Sequence, residues 1–447
     1  MSSKASLLIR PTRGMIVLML LGIFGLGLIA YRFLFGLGAV TNLSDGYPWG
    51  FWIGIDVLVG IALAAGGFVM AGLVHLFGGH RFHALARPAI LTALLGYLLF
   101  IFALAVDLGR PWHIWVALIS WNHVSPMFEV AWCVMLYTFV LCLEFAPVVL
   151  ERLRFERALQ AWREASPWIV IMALSLFAFA MTDSLAWLGL TFGLLLTWEI
   201  LMRAGVMPRD KQMPLLLIVA GIMLSTMHQS SLGTLFLIVD KLSPLWYTPI
   251  LPALFFISAV MIGPAMVIFE SATSARVLGH KSEQSLLARL GSAMPYFIGL
   301  YLTLRIADII LRGIVWQTIS PSLQSLWWWL EIGLLLLAMV FFMTPEVRSR
   351  RRGLLTASLA TIAALVIHRS GVAMIGLRIP EYGAYTPAWS EIAITVGIVS
   401  IGLLAYRLAV EYLPIYAAQP HRTTATQQQP ERREERLSAA RPAAAAK

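Results

Sequence analysis

Cysteine is nearly absent from this chain. Cys133 and Cys142 are the two it has in 447 residues, and both fall in one apolar run. Nine residues along a helix cover about 13 Å, too far for a disulfide. Two thiols are also too few for an iron–sulfur cluster or a structural zinc site. They read as small packing residues, and no metal site is expected in this chain. Charge is scarce as well. Asp, Glu, Lys and Arg make up 13% of the residues, about half the share in a soluble domain. There is no phosphate-binding glycine loop, nucleophile elbow or zinc-protease helix, and no internal repeat is visible. The glycine clusters at 22–27, 36–38 and 66–67 lack a strand context, so they read as sites of close helix packing.

What the chain has is hydrocarbon: 59% of its residues are hydrophobic. Apolar runs lie at about 15–38, 51–77, 89–108, 127–149, 166–182, 184–202, 213–239, 248–271, 290–312, 326–344, 354–370 and 389–411. Each is long enough, or nearly so, to cross a bilayer. The expectation is an all-α, polytopic transmembrane helix bundle of about 10–12 spans. The first run follows Lys4, Arg10 and Arg13 but is too long for a signal-peptide core, so it reads as an uncleaved span. The net charge of +10 does not point to nucleic acid, because the cations sit in short loops. Alternate loops hold 25 of the 33 Lys and Arg residues, while the intervening loops hold only Arg110, Lys241 and Arg378. That asymmetry places both termini in the cytoplasm. Residues 1–14 are then a cytoplasmic segment. Residues 412–447, rich in Ala, Gln, Arg and Glu, are a disordered cytoplasmic tail. The same alternation requires residues 166–202 to form a hairpin turning near Asp183, since one long helix would invert every later loop.

With this threading, Asp56, Asp107, Glu129, Arg305, Asp308, Glu331 and Arg369 gather in the outer half of the bilayer. Each ionisable group there costs several kcal/mol, roughly 2.5–3.5 on insertion scales, so a one-sided set of them indicates a polar site open to one face. His228 lies just past the midplane, inside the run Ser225-Thr226-Met227-His228-Gln229-Ser230-Ser231. A quinone needs donors at its carbonyls and takes up two protons on reduction, and acids beside a histidine supply both. Asp56, Glu129 and His228 are therefore the expected hydrogen-bonding and proton-exchanging groups. Asp107 and Arg110 shape the outer mouth, with Trp49 and Trp52 lining it. Glu144 and Glu270, in the inner half, are candidates for a proton route. Arg305 with Asp308, at i and i+3, and Arg369 with Glu391 read as structural ion pairs. Trp327, Trp328 and Trp329 read as an interfacial belt. His228 and His368 sit at matching depth, which leaves a haem b reading open, although no other histidine pair supports it. An ion-coupled secondary transporter would use the same charges, with paired broken helices and inverted symmetry expected.

The motifs also carry a resemblance. Gly36-Leu37-Gly38, Gly46-Tyr47-Pro48-Trp49-Gly50-Phe51-Trp52-Ile53-Gly54-Ile55-Asp56, Arg87-Pro88-Ala89, Asp107-Leu108-Gly109-Arg110, Phe128-Glu129, Leu143-Glu144-Phe145-Ala146-Pro147 and Thr226-Met227-His228-Gln229-Ser230-Ser231-Leu232-Gly233 resemble the NrfD/PsrC superfamily. These are the membrane subunits of polysulfide-reductase-type complexes. The likeness runs from about 15 to 411 and is nearest to the HybB-type branch, found with periplasm-facing nickel–iron hydrogenases. It implies a quinone-reactive subunit of a multi-subunit oxidoreductase, working with menaquinone or ubiquinone and carrying no haem or iron–sulfur cluster of its own. The implied partners are a periplasmic ferredoxin-like iron–sulfur subunit and a catalytic redox subunit, hydrogenase-like or other, with Ser231 beside the quinone. Two departures stand out. Residues 166–202 are an inserted hairpin relative to the ten-span HybB type, and Asp308 stands where a Glu often follows the Arg at 305.

Overall fold

The computed structural model of the chain describes residues 12–76, 79–206, 215–278, 283–379, 383 and 385–416. Most of the N-terminal segment and of the tail expected above lies outside the described residues. Twelve helices are long and apolar enough to cross a membrane, and this is a multi-pass integral membrane protein. They are α1 Arg13–Phe35, α2 Ile53–His75, α3 His83–Asp107, α4 Pro126–Leu153, α5 Glu156–Thr182, α6 Leu185–Arg203, α7 Leu215–Phe236, α8 Leu251–Leu278, α9 Gln284–Leu311, α10 Leu323–Met343, α11 Arg351–Ile375 and α12 Trp389–Tyr412. Among the described residues there is no strand, only an isolated bridge between Leu242 and Leu377. Helices suit this composition because a helix satisfies every backbone polar group within itself, which hydrocarbon demands.

Side-chain contacts between loops sort the helix ends into two sets. At one end, Asn42 reaches Thr386 O (3.0 Å), His123 reaches Ala180 O (2.7 Å) and Arg312 reaches Pro244 O (2.8 Å). At the other, Arg87 bonds Pro414 O (3.0 Å), Arg203 bonds Glu164 (2.9 Å) and Gln284 bonds Ser349 O (3.2 Å). The first set belongs to the cation-poor loops and the second to the cation-rich loops, so the helices alternate in direction. The α5–α6 hairpin is part of this alternation. Its turn holds Asp183 with φ +49°, beside His123 at the cation-poor end. α5 begins at Glu156, well before the run at 166, and its 27 residues span a bilayer comfortably.

Helices α2, α3, α4 and α7 pack on one side of α8 and α9, α10 and α11 on the other, sharing one continuous buried core. α1 lies along α12, which rests on α3. Their backbones touch: a Cβ on Gly25 would stand 2.7 Å from Gly397 Cα. Close glycine contacts of this kind let dispersion forces hold membrane helices together, since lipid offers no hydrophobic driving force between them. α6 packs chiefly on α5 and is otherwise exposed.

Two helices are interrupted. α2 opens with a π-helical turn over Ile53–Val57, and α11 closes with another over Gly371–Ile375. The two turns meet, with the Cβ position of Gly54 3.1 Å from Ala373 Cβ. π-turns concentrate at functional sites, and nothing in the hydropathy pattern marks either of them.

Candidate functional site

A cavity of about 660 Å3 opens at the cation-poor end between the α2, α3, α4 and α7 helices. Trp49, Ile53 and Val57 come from α2 and the loop before it, and Phe100, Leu104 and Asp107 come from α3. α4 supplies Met127, Val130, Ala131 and Val134, while α7 supplies Leu232, Leu235 and Phe236. Asp45, Arg110 and His113 from the loops stand at its mouth. Trp49 is held against Phe236, with ring centroids 5.1 Å apart. The walls are therefore apolar and partly aromatic, with charge gathered at one end.

The residues expected at the site fall into three groups. Trp49, Asp107 and Arg110 line the cavity. Glu129 and His228 stand just behind its wall. Glu129, in the first turn of α4, accepts a 2.6 Å hydrogen bond from Ser231 Oγ, tying α4 to α7. His228 is fully buried, bonded through Nδ1 to Tyr97 OH at 2.9 Å and packed against Phe100 at 6.1 Å between centroids. Which of the two groups donates in the Tyr97–His228 bond depends on the histidine tautomer.

Trp52 and Asp56 belong elsewhere. Trp52 is buried among Ile29, Val40, Val106 and Ile394, and its indole N–H donates to Glu391 O at 3.1 Å. It does not line the mouth. The π-turn accounts for part of this, because it changes the angular spacing of side chains entering α2. Asp56 lines a second crevice of about 280 Å3 among α2, α3, α8 and α12, where it accepts from Thr395 Oγ1 at 2.7 Å. Phe100 lines both cavities and forms the partition between them.

The ion pairs read from sequence are not the ones the structure makes. Asp308 pairs with Arg312 at 2.6 Å, one turn on, and accepts from Thr248 Oγ1 at 2.6 Å. Arg305 instead faces Glu331 on α10 at 3.5 Å and donates to Leu245 O at 2.6 Å. Arg369 lies 3.5 Å over the Phe255 ring and donates to Ser258 Oγ at 2.8 Å. Glu391 caps the start of α12 through Ala388 N (2.6 Å) and also accepts from Tyr385. Helix spacing offered the same-helix partner and could not show the cross-helix one.

At the cation-rich end, Glu144 reaches a crevice of about 210 Å3, lined also by His75, His83, Arg87, Glu151 and Arg163. Glu270 accepts from Thr92 Oγ1 (2.5 Å) and Tyr406 (2.7 Å), and Tyr406 meets Tyr416 at 2.8 Å. Arg32 was not singled out by sequence. It is buried on α1, donates to Val106 O at 2.8 Å and to Leu108 O, and so caps the end of α3 beside Asp107. A lone cation inside an apolar run was its available signal. Tyr97 and Tyr301 were also missed, since tyrosine is unremarkable in such runs. Each packs against a buried histidine, His228 and His368 respectively.

The polysulphide reductase NrfD family profile matches residues 39–380. The chain belongs to the NrfD family. It is similar to a protein of Nitratidesulfovibrio vulgaris, at 33% identity over 421 residues covering 92% of this chain and 96% of that one. It is also similar to the probable Ni/Fe-hydrogenase 2 b-type cytochrome subunit of Escherichia coli, 29% identical, with 87% of this chain and 88% of that one covered. A third relative is the menaquinone reductase integral membrane subunit of N. vulgaris, 26% identical, with 88% and 89% covered. This NrfD member is thus a membrane protein of the kind that serves oxidoreductase complexes.

Proposed function

We propose that this chain is the quinone-reactive membrane subunit of a multi-subunit oxidoreductase in the bacterial inner membrane, with both termini cytoplasmic. It passes electrons between a ferredoxin-like iron–sulfur subunit, docked at the cation-poor, periplasmic end, and the quinone pool. The cavity at that end carries the reading. At about 660 Å3 it has the size of a small-ligand site, and it joins apolar walls to a few convergent polar groups as such sites do. Trp49 and Phe236 offer flat faces to a ring, while Asp107, Arg110 and His113 hold the mouth. Menaquinone or ubiquinone fits this chemistry, and the menaquinone reductase relative favours the naphthoquinone. Glu129 with Ser231, and His228 through its ring Nε2, are the groups within reach of the wall that can donate to or exchange protons with quinone oxygens. Asp56 acts from the second crevice. A catalytic redox subunit, hydrogenase-like or other, completes the complex.

Haem fits the residues poorly. His228 and His368 are both fully enclosed, on helices that each pack against α8, and Phe255 of α8 lies 5.9 Å from His368. A macrocycle needs an open slot between its two ligands. The paired π-turns of α2 and α11 do favour the transporter reading, because broken helices that meet are what that class uses. An ion-dependent solute uptake by this chain alone would support it.

The test of the quinone reading uses the assembled complex. Glu129→Gln and His228→Ala should each abolish quinone reduction while the complex still assembles. Wild-type turnover in either variant removes that residue from the site. Menadione should quench Trp49 fluorescence saturably, and its failure to do so would reject the cavity.

A further inference from the structure

The crevice of about 280 Å3 that holds Asp56 takes two of its walls, α8 and α12, from outside the helices that form the quinone cavity. Its lining is mostly apolar, with Val59 and Leu63 from α2, Leu95 and Leu99 from α3, Met266 from α8 and Ile398 from α12. Val399 and Leu403 of α12 also line it and are 49% and 52% exposed, so the crevice reaches the outer surface of the bundle, where the lipid lies. Gly60 widens it. A glycine inside a helix weakens that helix relative to alanine, and two other glycines on these walls serve close packing. A Cβ on Gly96 would stand 2.8 Å from Ala64 Cβ, and one on Gly402 would meet Leu99. A Cβ on Gly60, four residues along α2 from Asp56, would meet nothing within 4 Å.

Polar groups stand at both ends of this apolar slot. At one end Thr92 and Tyr406 are already engaged by Glu270, at 2.5 and 2.7 Å. At the other Asp56 accepts from Thr395 Oγ1 at 2.7 Å. A carboxyl and a hydroxyl side by side can accept from a ligand hydroxyl or donate to a ligand carbonyl. The volume is just under the lower end of the range for small-ligand sites, roughly 300 Å3, which suits one flat ring and the start of a chain. The occupant therefore comes from the bilayer, brings an oxygen to Asp56 and is otherwise apolar. A phospholipid acyl chain brings no polar atom to that pair. We propose that this crevice is a second binding site for an isoprenoid quinone or quinol, with a ring oxygen on Asp56 and Thr395 and the tail leaving past Val399 and Leu403. The proposal rests on the quinone reading. Phe100 is the wall common to the two sites, so a ring held in the crevice stands one side chain away from the cavity where electrons arrive. Incoming carrier and departing carrier then occupy separate places, and one need not clear the protein before the other binds.

The experiment cross-links an azido-naphthoquinone with an isoprenoid tail to the whole complex in phospholipid vesicles by light, and maps the adducts by mass spectrometry of peptides. Wild type should give two sets of adducts. One falls in 127–134 and 232–236 around the quinone cavity, and the other in 55–63 and 395–403 around the crevice. Excess unlabelled menaquinone should suppress both. Gly60→Leu fills the crevice and should remove the second set while keeping the first. Thr395→Val deletes one hydrogen bond and should lower the second set roughly fivefold. Gel filtration shows which variant complexes assemble, and if Gly60→Leu does not, Thr395→Val decides alone. A second set that is missing from wild type, that survives excess menaquinone as labelling from bulk lipid would, or that is undiminished in either assembled variant overturns the second site. Absence of the first set from wild type instead overturns the quinone reading itself.

Discussion

Removing Glu331 is the perturbation whose consequence the structure fixes most directly. Arg305 and Glu331 are both essentially unexposed and face each other at 3.5 Å. Tyr301 donates to Glu331 Oε1 at 2.6 Å, and Arg305 donates its other arm to Leu245 O. In Glu331→Leu the guanidinium keeps one carbonyl and loses its counter-charge in a medium that cannot solvate it. Breaking one side of a buried pair costs about 3–5 kcal/mol, which for a chain of this length corresponds to a fall on the order of 3–5 °C in the apparent melting temperature. The double variant Arg305→Met, Glu331→Leu removes both charges. It still strands the Tyr301 hydroxyl, at about 1–3 kcal/mol, but should be more stable than Glu331→Leu alone. Thermal unfolding in detergent, read by the monodisperse fraction on gel filtration, ranks the three proteins. A double variant no more stable than Glu331→Leu, or a Glu331→Leu as stable as wild type, would refute the view that these two charges hold each other in the bundle.

Other expectations follow from single contacts. Trp49→Ala should weaken menadione binding, whereas Trp52→Phe should leave it intact and lose about 1 kcal/mol of stability with the hydrogen bond to Glu391 O, which equilibrium binding and melting curves separate. Gly25→Leu should push α1 off α12, since the glycine backbones already touch, at a cost of about 1–3 kcal/mol; a disulfide cross-link engineered across that pair should then form less readily. Cysteines placed at Ser184 and Ser349 should label from opposite faces with an impermeant maleimide, and labelling from one face would undo the α5–α6 hairpin.

The span count was legible because crossing a bilayer imposes a length and a composition that few residues can disguise. All twelve helices coincide with apolar runs read from sequence, and the charge alternation that split 166–202 agrees with the turn beside His123. The site was only half legible. Asp107, Arg110 and Trp49 reach the cavity because they sit at helix ends, where depth alone decides exposure. Trp52 and Asp56 do not, because a π-turn changes how side chains point and hydropathy carries no trace of it. The partner of Arg305 was misread for a related reason. Spacing along one helix lists same-helix neighbours, while the closest opposite charge to Arg305 stands across a helix interface.

The amino-acid order by itself determined that this chain lives in a membrane and which of its runs are long and apolar enough to cross it, since those properties depend on local hydrophobicity counted along the chain. The family, too, was written in short motifs. Only the tertiary structure decided which buried charges face one another and that Phe100 divides two cavities. Those outcomes depend on rotation about each helix axis and on contact between segments distant in the chain, and no one-dimensional pattern specifies either.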